Sequence, residues 1–323
     1  MALSDLAVFS EYAYSTMTEM QDQQIGLFNA ATRGGLVLQS GNHQGDYSDE
    51  AMWAKISGLV RRRNAYGSGA VAEKVLEHLT ETSVKVAAGT PPVRIDPGMM
   101  KWIQRSPEEA GVVVGKQMAE DSIADMLNTA VMCYTAAVGQ VANVVYDHSG
   151  TGTMSLIALN KGAAKFGDRA GALVAWVMHS KSAFDIYGEA LTNATRLFVF
   201  GNVRVIEDGF GRPLVVTDSP NLVLPDAGGV GVYHYQALGL TPGAVLVSQN
   251  GDFTDNVETK NGDENIIRTY QAEWSYNVSV QGFAWDKTNG GKSPTNAALG
   301  TATNWDRYAT SDKDLAGVLV KAQ

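Results

Sequence analysis

The residues best suited to chemistry are five histidines, a single cysteine and two short stretches that hold the residue types of a catalytic triad. His43, His78, His148, His179 and His234 are scattered, without the spacing that sets two metal ligands on one helix face or one turn. No metal site and no cofactor are expected from them. Cys133 lies among Val131, Met132 and Tyr134, which predicts a small buried hydrophobe with no intrachain disulfide. His179-Ser180 and Asp218-Ser219 contain a potential nucleophile, base and orienting acid, but neither serine stands in the G-x-S-x-G turn that exposes a reactive hydroxyl. A helix end and a turn are expected there.

Gly228, Gly229 and Gly231 lack the lysine of a phosphate-binding loop and precede a strand-like Val232 to Tyr235 where such a loop would open a helix, so they read as a bend. Asp252, Asp255, Asp263 and Glu264 miss the twelve-residue pattern in which oxygens converge on calcium, and a solvated acidic loop is expected. Asn193-Ala194-Thr195 and Asn277-Val278-Ser279 match glycosylation triplets, which have meaning only in a secreted protein. The remaining signal is the basic run Arg61-Arg62-Arg63. Guanidinium forks pair with carboxylates in bidentate fashion, so on an acidic protein this run is a candidate contact with a neighbouring copy. A solvated charged face and a contact with phosphate are the other readings.

Positioning any of these residues falls to a chain of 323 residues with 45% apolar and 18% charged content, enough for two or three packed units. The formal charge of -9 argues against a dedicated nucleic-acid binder, because phosphate binding draws on lysine and arginine. It is compatible with enclosing DNA, since like charge keeps packaged duplex off a wall. No stretch approaches the ~20 apolar residues of a membrane span, and Met1 to Ser10 lacks the basic flank and apolar run of a secretory signal, so a soluble protein of the cytoplasm is expected.

Met1 to Ala31 mixes apolar and polar residues without a clean period and reads as an arm of short helical or extended pieces. From Thr32 to Asp96, Gly34-Gly35, Ser40-Gly41-Asn42, Gln44-Gly45-Asp46 and Tyr66-Gly67-Ser68-Gly69 punctuate short apolar runs, as in a projecting loop. Ser106-Pro107-Glu108-Glu109 carries a capping box with proline in the first turn. Ala110, Val113, Val114, Met118, Ile123, Met126, Leu127, Ala130, Val131, Tyr134 and Val138 then recur at helical spacing, which predicts one helix from Pro107 to about Gly139. At ~1.5 Å per residue it would be roughly 50 Å long, a structural axis.

The middle reads as one mixed α and β unit, with helices at Met154 to Phe166, Ala172 to Ser180 and Ala183 to Leu191. Strands are expected at Arg196 to Val205, Leu214 to Asp218, Gly231 to Ala237 and Ala244 to Gln249. Strict alternation places Tyr270, Ala272, Trp274, Tyr276, Val278 and Val280 on one face of a long antiparallel strand, and the change of phase after Gly282 predicts a bulge. Leu315 to Val320 would close the sheet as an edge strand.

Several segments resemble, in order, tailed-bacteriophage major capsid proteins of the Hong Kong 97-type fold. Trp176-Val177-Met178-His179-Ser180 looks like the helix segment of that family's axial domain, and Gly211-Arg212-Pro213-Leu214-Val215-Val216-Thr217-Asp218-Ser219 like the turn and strand after it. Tyr235-Gln236-Ala237-Leu238-Gly239 with Pro242-Gly243-Ala244 resembles the next strand pair, while Pro294-Thr295-Asn296-Ala297-Ala298-Leu299 and Thr303-Asn304-Trp305-Asp306-Arg307 resemble the C-terminal ending.

The resemblance implies an α+β fold with a long spine helix, long antiparallel strands, an extended loop, an N-terminal arm and a mixed α/β axial domain. The arm would be 1–31, the extended loop 32–104, the peripheral domain 105–145 with 265–323, and the axial domain 146–264. It implies a structural protein, not an enzyme, made in the bacterial host cytoplasm and residing in the virion. Copies would form hexamers and pentamers of an icosahedral head around double-stranded DNA, with portal, scaffold and decoration proteins as partners and no membrane. No lysine and asparagine pair matches the covalent crosslink of some relatives. An encapsulin-like nanocompartment shell shares the fold, and a soluble α/β hydrolase using Ser180 or Ser219 is the rival of a different class.

Overall fold

The apolar spacing after Pro107 yields a helix over Pro107–Gly139, the bounds expected, and the other elements pack around it. The computed structural model describes residues 3–53, 60–75, 78–150, 152–190, 197–200, 203–207, 211–225, 233–261 and 266–323. In chain order the helices are α1 (Leu3–Ala31), α2 (Pro97–Arg105), α3 (Pro107–Gly139), α4 (Leu156–Ala164), α5 (Ser180–Ala190) and α6 (Asn296–Leu299). The strands are β1 (Leu36–Ser40), β2 (Tyr47–Trp53), β3 (His78–Gly89), β4 (Val93–Ile95), β5 (Val145–Asp147), β6 (Ala175–Met178), β7 (Leu197–Phe200), β8 (Val203–Glu207) and β9 (Pro213–Val216). They continue as β10 (Val223–Pro225), β11 (Tyr233–Leu240), β12 (Val245–Gln249), β13 (Thr254–Lys260), β14 (Ile267–Val280), β15 (Phe283–Trp285), β16 (Trp305–Arg307) and β17 (Gly317–Ala322).

The cap at α3 differs from the expected box. Ser106 makes no side-chain bond to the first turn, because α2 ends at the preceding residue and the Ser106 amide donates to the Trp102 carbonyl. The serine is a joint between two helices, and Glu108 and Glu109 favour the α3 start through their charge alone.

The opening segment is a single helix, not a set of short pieces. Phe9, Ala13, Met17, Gln21 and Ile25 recur every fourth position and are buried, and the stripe they form lies along α3. Facing them on α3 are Gly111, Gly115, Ala119 and Ser122, small residues that let the two backbones approach closely. Gln21 Nε2 donates to Ser122 Oγ at 2.9 Å inside this contact, and the Phe9 ring meets Tyr270 edge-on at 5.7 Å. Ala13 and Gln21 interrupt the apolar stripe of α1 between Phe9, Met17 and Ile25, which hid the helix in the sequence. Val113, expected on the apolar side of α3, is 41% exposed because the buried stripe there is made of glycines.

β14 organises one sheet. Along one edge it pairs with β12 and β13, along the other with β3 and β4; β1 extends β12, and β2 extends β3. Tyr270, Ala272, Tyr276, Val278 and Val280 are buried, as the alternation requires, and Trp274 on the same face is half-buried; Ser275 and Asn277 on the other face are buried too, where Asn250 donates to both. The phase change after it is a two-residue turn, not a bulge: Val280 pairs with Phe283, and Gly282 takes the positive φ of 88° that the reversal needs.

The second sheet runs β5-β17-β11-β6-β9-β8-β7, with β10 also beside β11. The segment expected as a helix at Ala172 to Ser180, and likened to a helix of the axial domain, is instead β6 with all four residues buried. A short run apolar on both faces has no period to distinguish strand from helix. The C-terminal run is not an edge strand: β17 lies between β11 and β5, with Val318, Leu319 and Val320 fully buried. β12, expected as a strand of the middle unit, belongs to the sheet of β14, and so does β13, which forms where an acidic loop was expected. Arg196 to Val205 contains the antiparallel pair β7 and β8 where one strand was expected, and the Gly228 to Gly231 bend and the Asn193 triplet fall outside the described residues. Tyr134 on α3 joins the two halves, its buried hydroxyl reaching the Gly239 carbonyl at 2.8 Å and the Val318 carbonyl at 3.1 Å.

Candidate assembly surfaces

The turn-rich segment forms a hairpin whose base is anchored and whose far end is open. β2 and β3 pair from Tyr47 with Val84 to Trp53 with His78, and β3 carries the hairpin onto β14. Residues 60–75, beyond the strands, are exposed throughout, with Val60 at 95% and Tyr66 at 100%. Arg61, Arg62 and Arg63 lie on this stretch, and none has a carboxylate partner among the described residues. With three arginines, Lys74 and Glu73, the stretch carries a positive charge on an acidic chain.

The base is tied by charge. Lys287 meets Asp49 at 2.6 Å, Thr82 Oγ1 donates to the same carboxylate at 2.7 Å, and the lysine bond holds the Asp49 carboxyl below the ordinary aspartate range. Lys292 meets Asp46 at 2.9 Å and Lys85 meets Asp252 at 3.0 Å. The expected solvated acidic loop is thus partly internal: Asp252 also accepts from the Ser275 amide and hydroxyl, and Asp255 from Ser10 and Tyr270. Asp263 and Glu264 fall outside the described residues.

Glu50 and Glu81 stand directly opposite each other in the β2–β3 register. They line a cleft of about 350 Å³ together with Gln39, His43, Ser83 and Gln281. Burial pushes the Glu81 carboxyl above the ordinary glutamate range; the Tyr308 hydroxyl, donating at 2.9 Å, opposes the shift, and Glu50 adds to it. A raised carboxyl favours the protonated form in the fold, so its contribution is present at low pH and lost as pH rises through its folded value. Glu81→Gln is therefore expected to stabilise the isolated subunit at pH 7 by ~0.2–1 kcal/mol, the scale of a cross-strand like-charge pair, with a smaller gain at pH 4. Urea midpoints at the two pH values measure it; an equal or negative change at pH 7 would contradict the assignment. Local spacing does not reveal this pair, because Glu50 and Glu81 meet only through the register of β2 with β3.

The triad residue types do come together, at the ends of the parallel strands β6 and β9. The wiring is not that of a nucleophile. Asp218 Oδ1 accepts the Ser180 amide at 3.3 Å, and bonds from Ser180 hold its carboxyl below the ordinary aspartate range. His179 Nε2 faces this aspartate at 3.7 Å while its Nδ1 takes the Lys181 amide at 3.1 Å, so neither ring nitrogen is left to activate a serine. Ser219 lies buried in a turn, and Ser180 opens α5 where it was expected to close a helix from Ala172. Cys133 is fully buried, and burial pushes its thiol far above the usual range, so it stays protonated. Among the described residues no group of three or more His, Cys, Asp and Glu is placed to hold a metal ion, and no helix is long and apolar enough to cross a membrane.

The sequence profile of a family described as major capsid protein 13-like matches residues 5–319. No curated protein matches the chain in sequence. Among solved structures, the capsid of Ralstonia phage GP4 is similar at a TM-score of 0.51 and 10% identity, over 89% of this chain and 87% of that one. The Cyanophage Pam1 capsid asymmetric unit gives 0.50 and 10%, over 89% and 88%. An encapsulin complex from Synechococcus elongatus PCC 7942 gives 0.50 and 10%, over 75% and 81%. At such identities the likeness is one of fold, and it is the Hong Kong 97-type α+β fold that the sequence resemblance implied.

Proposed function

This chain belongs to the major capsid protein 13-like family, and from that premise we propose that its copies assemble as hexamers and pentamers into an icosahedral phage head enclosing double-stranded DNA. The structural capsid role, and with it a place in the virion, follows from the family. The observation that carries the reading is a family match spanning residues 5–319. In this reading the sheet of β14 with α3 is the peripheral unit, the sheet of β11 the axial unit, the β2–β3 hairpin the extended loop and α1 the arm. Portal, scaffold and decoration proteins are its partners, and the net charge of -9 keeps packaged duplex from adhering to the wall. The arginines of the hairpin serve contacts between copies, and the subunit catalyses no reaction of its own.

Many modest contacts suit such a shell. Each is weak enough to correct during growth, while simultaneous engagement makes loss from the finished shell rare. An encapsulin-like compartment shares the fold, and the family match favours the phage head. Expression of the chain alone and with its neighbouring genes, followed by electron microscopy, is expected to yield closed icosahedral shells or hexameric and pentameric rings. A uniform monomer or small dimer under every condition would overturn the reading.

A further inference from the structure

We infer that the run Arg61, Arg62 and Arg63 of one copy places a guanidinium in the cleft at the hairpin base of a second copy, against its Glu50 and Glu81. The inference rests on the capsid reading and adds the receptor for these arginines. Two observations meet in it. The arginines are exposed and have no carboxylate partner among the described residues, while Glu50 and Glu81 face each other with no lysine or arginine paired to them among the described residues and His43 as the basic group in the cleft lining. The neighbouring carboxylates Asp46, Asp49 and Asp252 are already neutralised by Lys292, Lys287 and Lys85, so the cleft holds the unneutralised charge of the hairpin base.

Its chemistry suits a guanidinium. Two carboxylates supply charged acceptors, Gln39, Gln281 and Ser83 supply neutral ones, and a volume of about 350 Å³ admits the planar head with part of its stem. The free subunit carries like charges opposite each other across β2 and β3, an unfavourable arrangement that an inserted cation removes. The contact therefore gains from relieving a repulsion that the isolated chain bears. It is also directional: the tip of one copy meets the base of the next, a head-to-tail contact that closes into a ring when the rotation allows. Two carboxylates without a third ligand are a poor cage for a divalent ion.

The test uses full-length chains. Arg61→Glu/Arg62→Glu/Arg63→Glu and, separately, Glu50→Lys are each expected to lower the yield of assembled particles tenfold or more, while circular dichroism stays as wild type and the urea midpoint is unchanged for the arginine variant and equal or higher for Glu50→Lys, whose lysine faces Glu81. Mixing the two chains should restore particles, because the reversed charges pair. In a second measurement, Arg62→Cys and Glu50→Cys chains mixed under mild oxidation should give disulfide-linked dimers, with buried Cys133 not competing. Glu50→Lys assembling like wild type, or no dimers from shells that do form, overturns the cleft as receptor and leaves the capsid reading intact. Normal shells from the triple arginine variant overturn the arginine contact, and normal shells that fail to retain DNA reassign the arginines to phosphate. Wild-type chains that never assemble overturn the capsid reading itself, and the inference with it.

Discussion

Gly115→Leu is expected to lift α1 off α3 and to cost the isolated subunit ~3 kcal/mol or more, the upper range for overpacking a tight contact. A Cβ at Gly115 would lie 2.4 Å from the Ala13 carbonyl oxygen and 3.1 Å from Ala13 Cα; at Gly111 it would lie 2.6 Å from the Phe9 carbonyl oxygen. These neighbours are backbone, so no side-chain rotation can make room. The helices must separate, which pulls Phe9 from Tyr270 and Gln21 from Ser122. Hydrogen exchange over residues 3–31 should rise sharply and the urea midpoint fall. Gly26→Ala, in the same helix but with nothing within 4 Å of the added carbon, should instead stabilise by ~0.5–1 kcal/mol through helix propensity. Wild-type exchange in α1 of the Gly115→Leu protein would sink the account.

The same contact explains what the sequence did and did not disclose. α3 and β14 were legible because their buried faces are built from large apolar residues at a clean period: Met118, Met126, Val131, Tyr134 and Val138 in one, Tyr270, Tyr276, Val278 and Val280 in the other. α1 was not, because it is held by Ala13 against two glycines and by a buried Gln21, residues that carry almost no hydropathy signal. β6 failed for the opposite reason: Ala175 to Met178 is apolar on both faces and has no period to read. Arg61 to Arg63 stood out as a run, whereas Glu50 and Glu81 are 31 positions apart and become a pair only through the β2–β3 register. Charge opposed across strands is a tertiary fact, and local spacing does not encode it.

Gly317→Ala is the second large effect, and it probes how the two sheets are coupled. Gly317 pairs with Leu240 at the start of β17 with φ at 150°, where an added Cβ would fall 1.9 Å from the Gly239 carbonyl oxygen and 2.6 Å from the Tyr134 hydroxyl. Backbone strain of ~1–3 kcal/mol would combine with an overpacking term of similar size. The displaced carbonyl also abandons the Tyr134 hydroxyl that binds it at 2.8 Å. A total loss of ~3–6 kcal/mol is expected, enough to unfold a domain of ordinary stability at moderate urea or to prevent soluble accumulation. Tyr134→Phe removes only the hydroxyl and should cost ~1–3 kcal/mol, since it leaves buried carbonyls without their donor. Because both changes act on one hydrogen bond, the double variant should lose less than the separate effects together. A neutral Gly317→Ala would mean that β17 does not sit where its pairing with β11 puts it. The expected loss would mean that α3, which carries Tyr134, is locked to the sheet of β11 through two glycines and one buried hydroxyl, so a force on either sheet reaches the other through that junction.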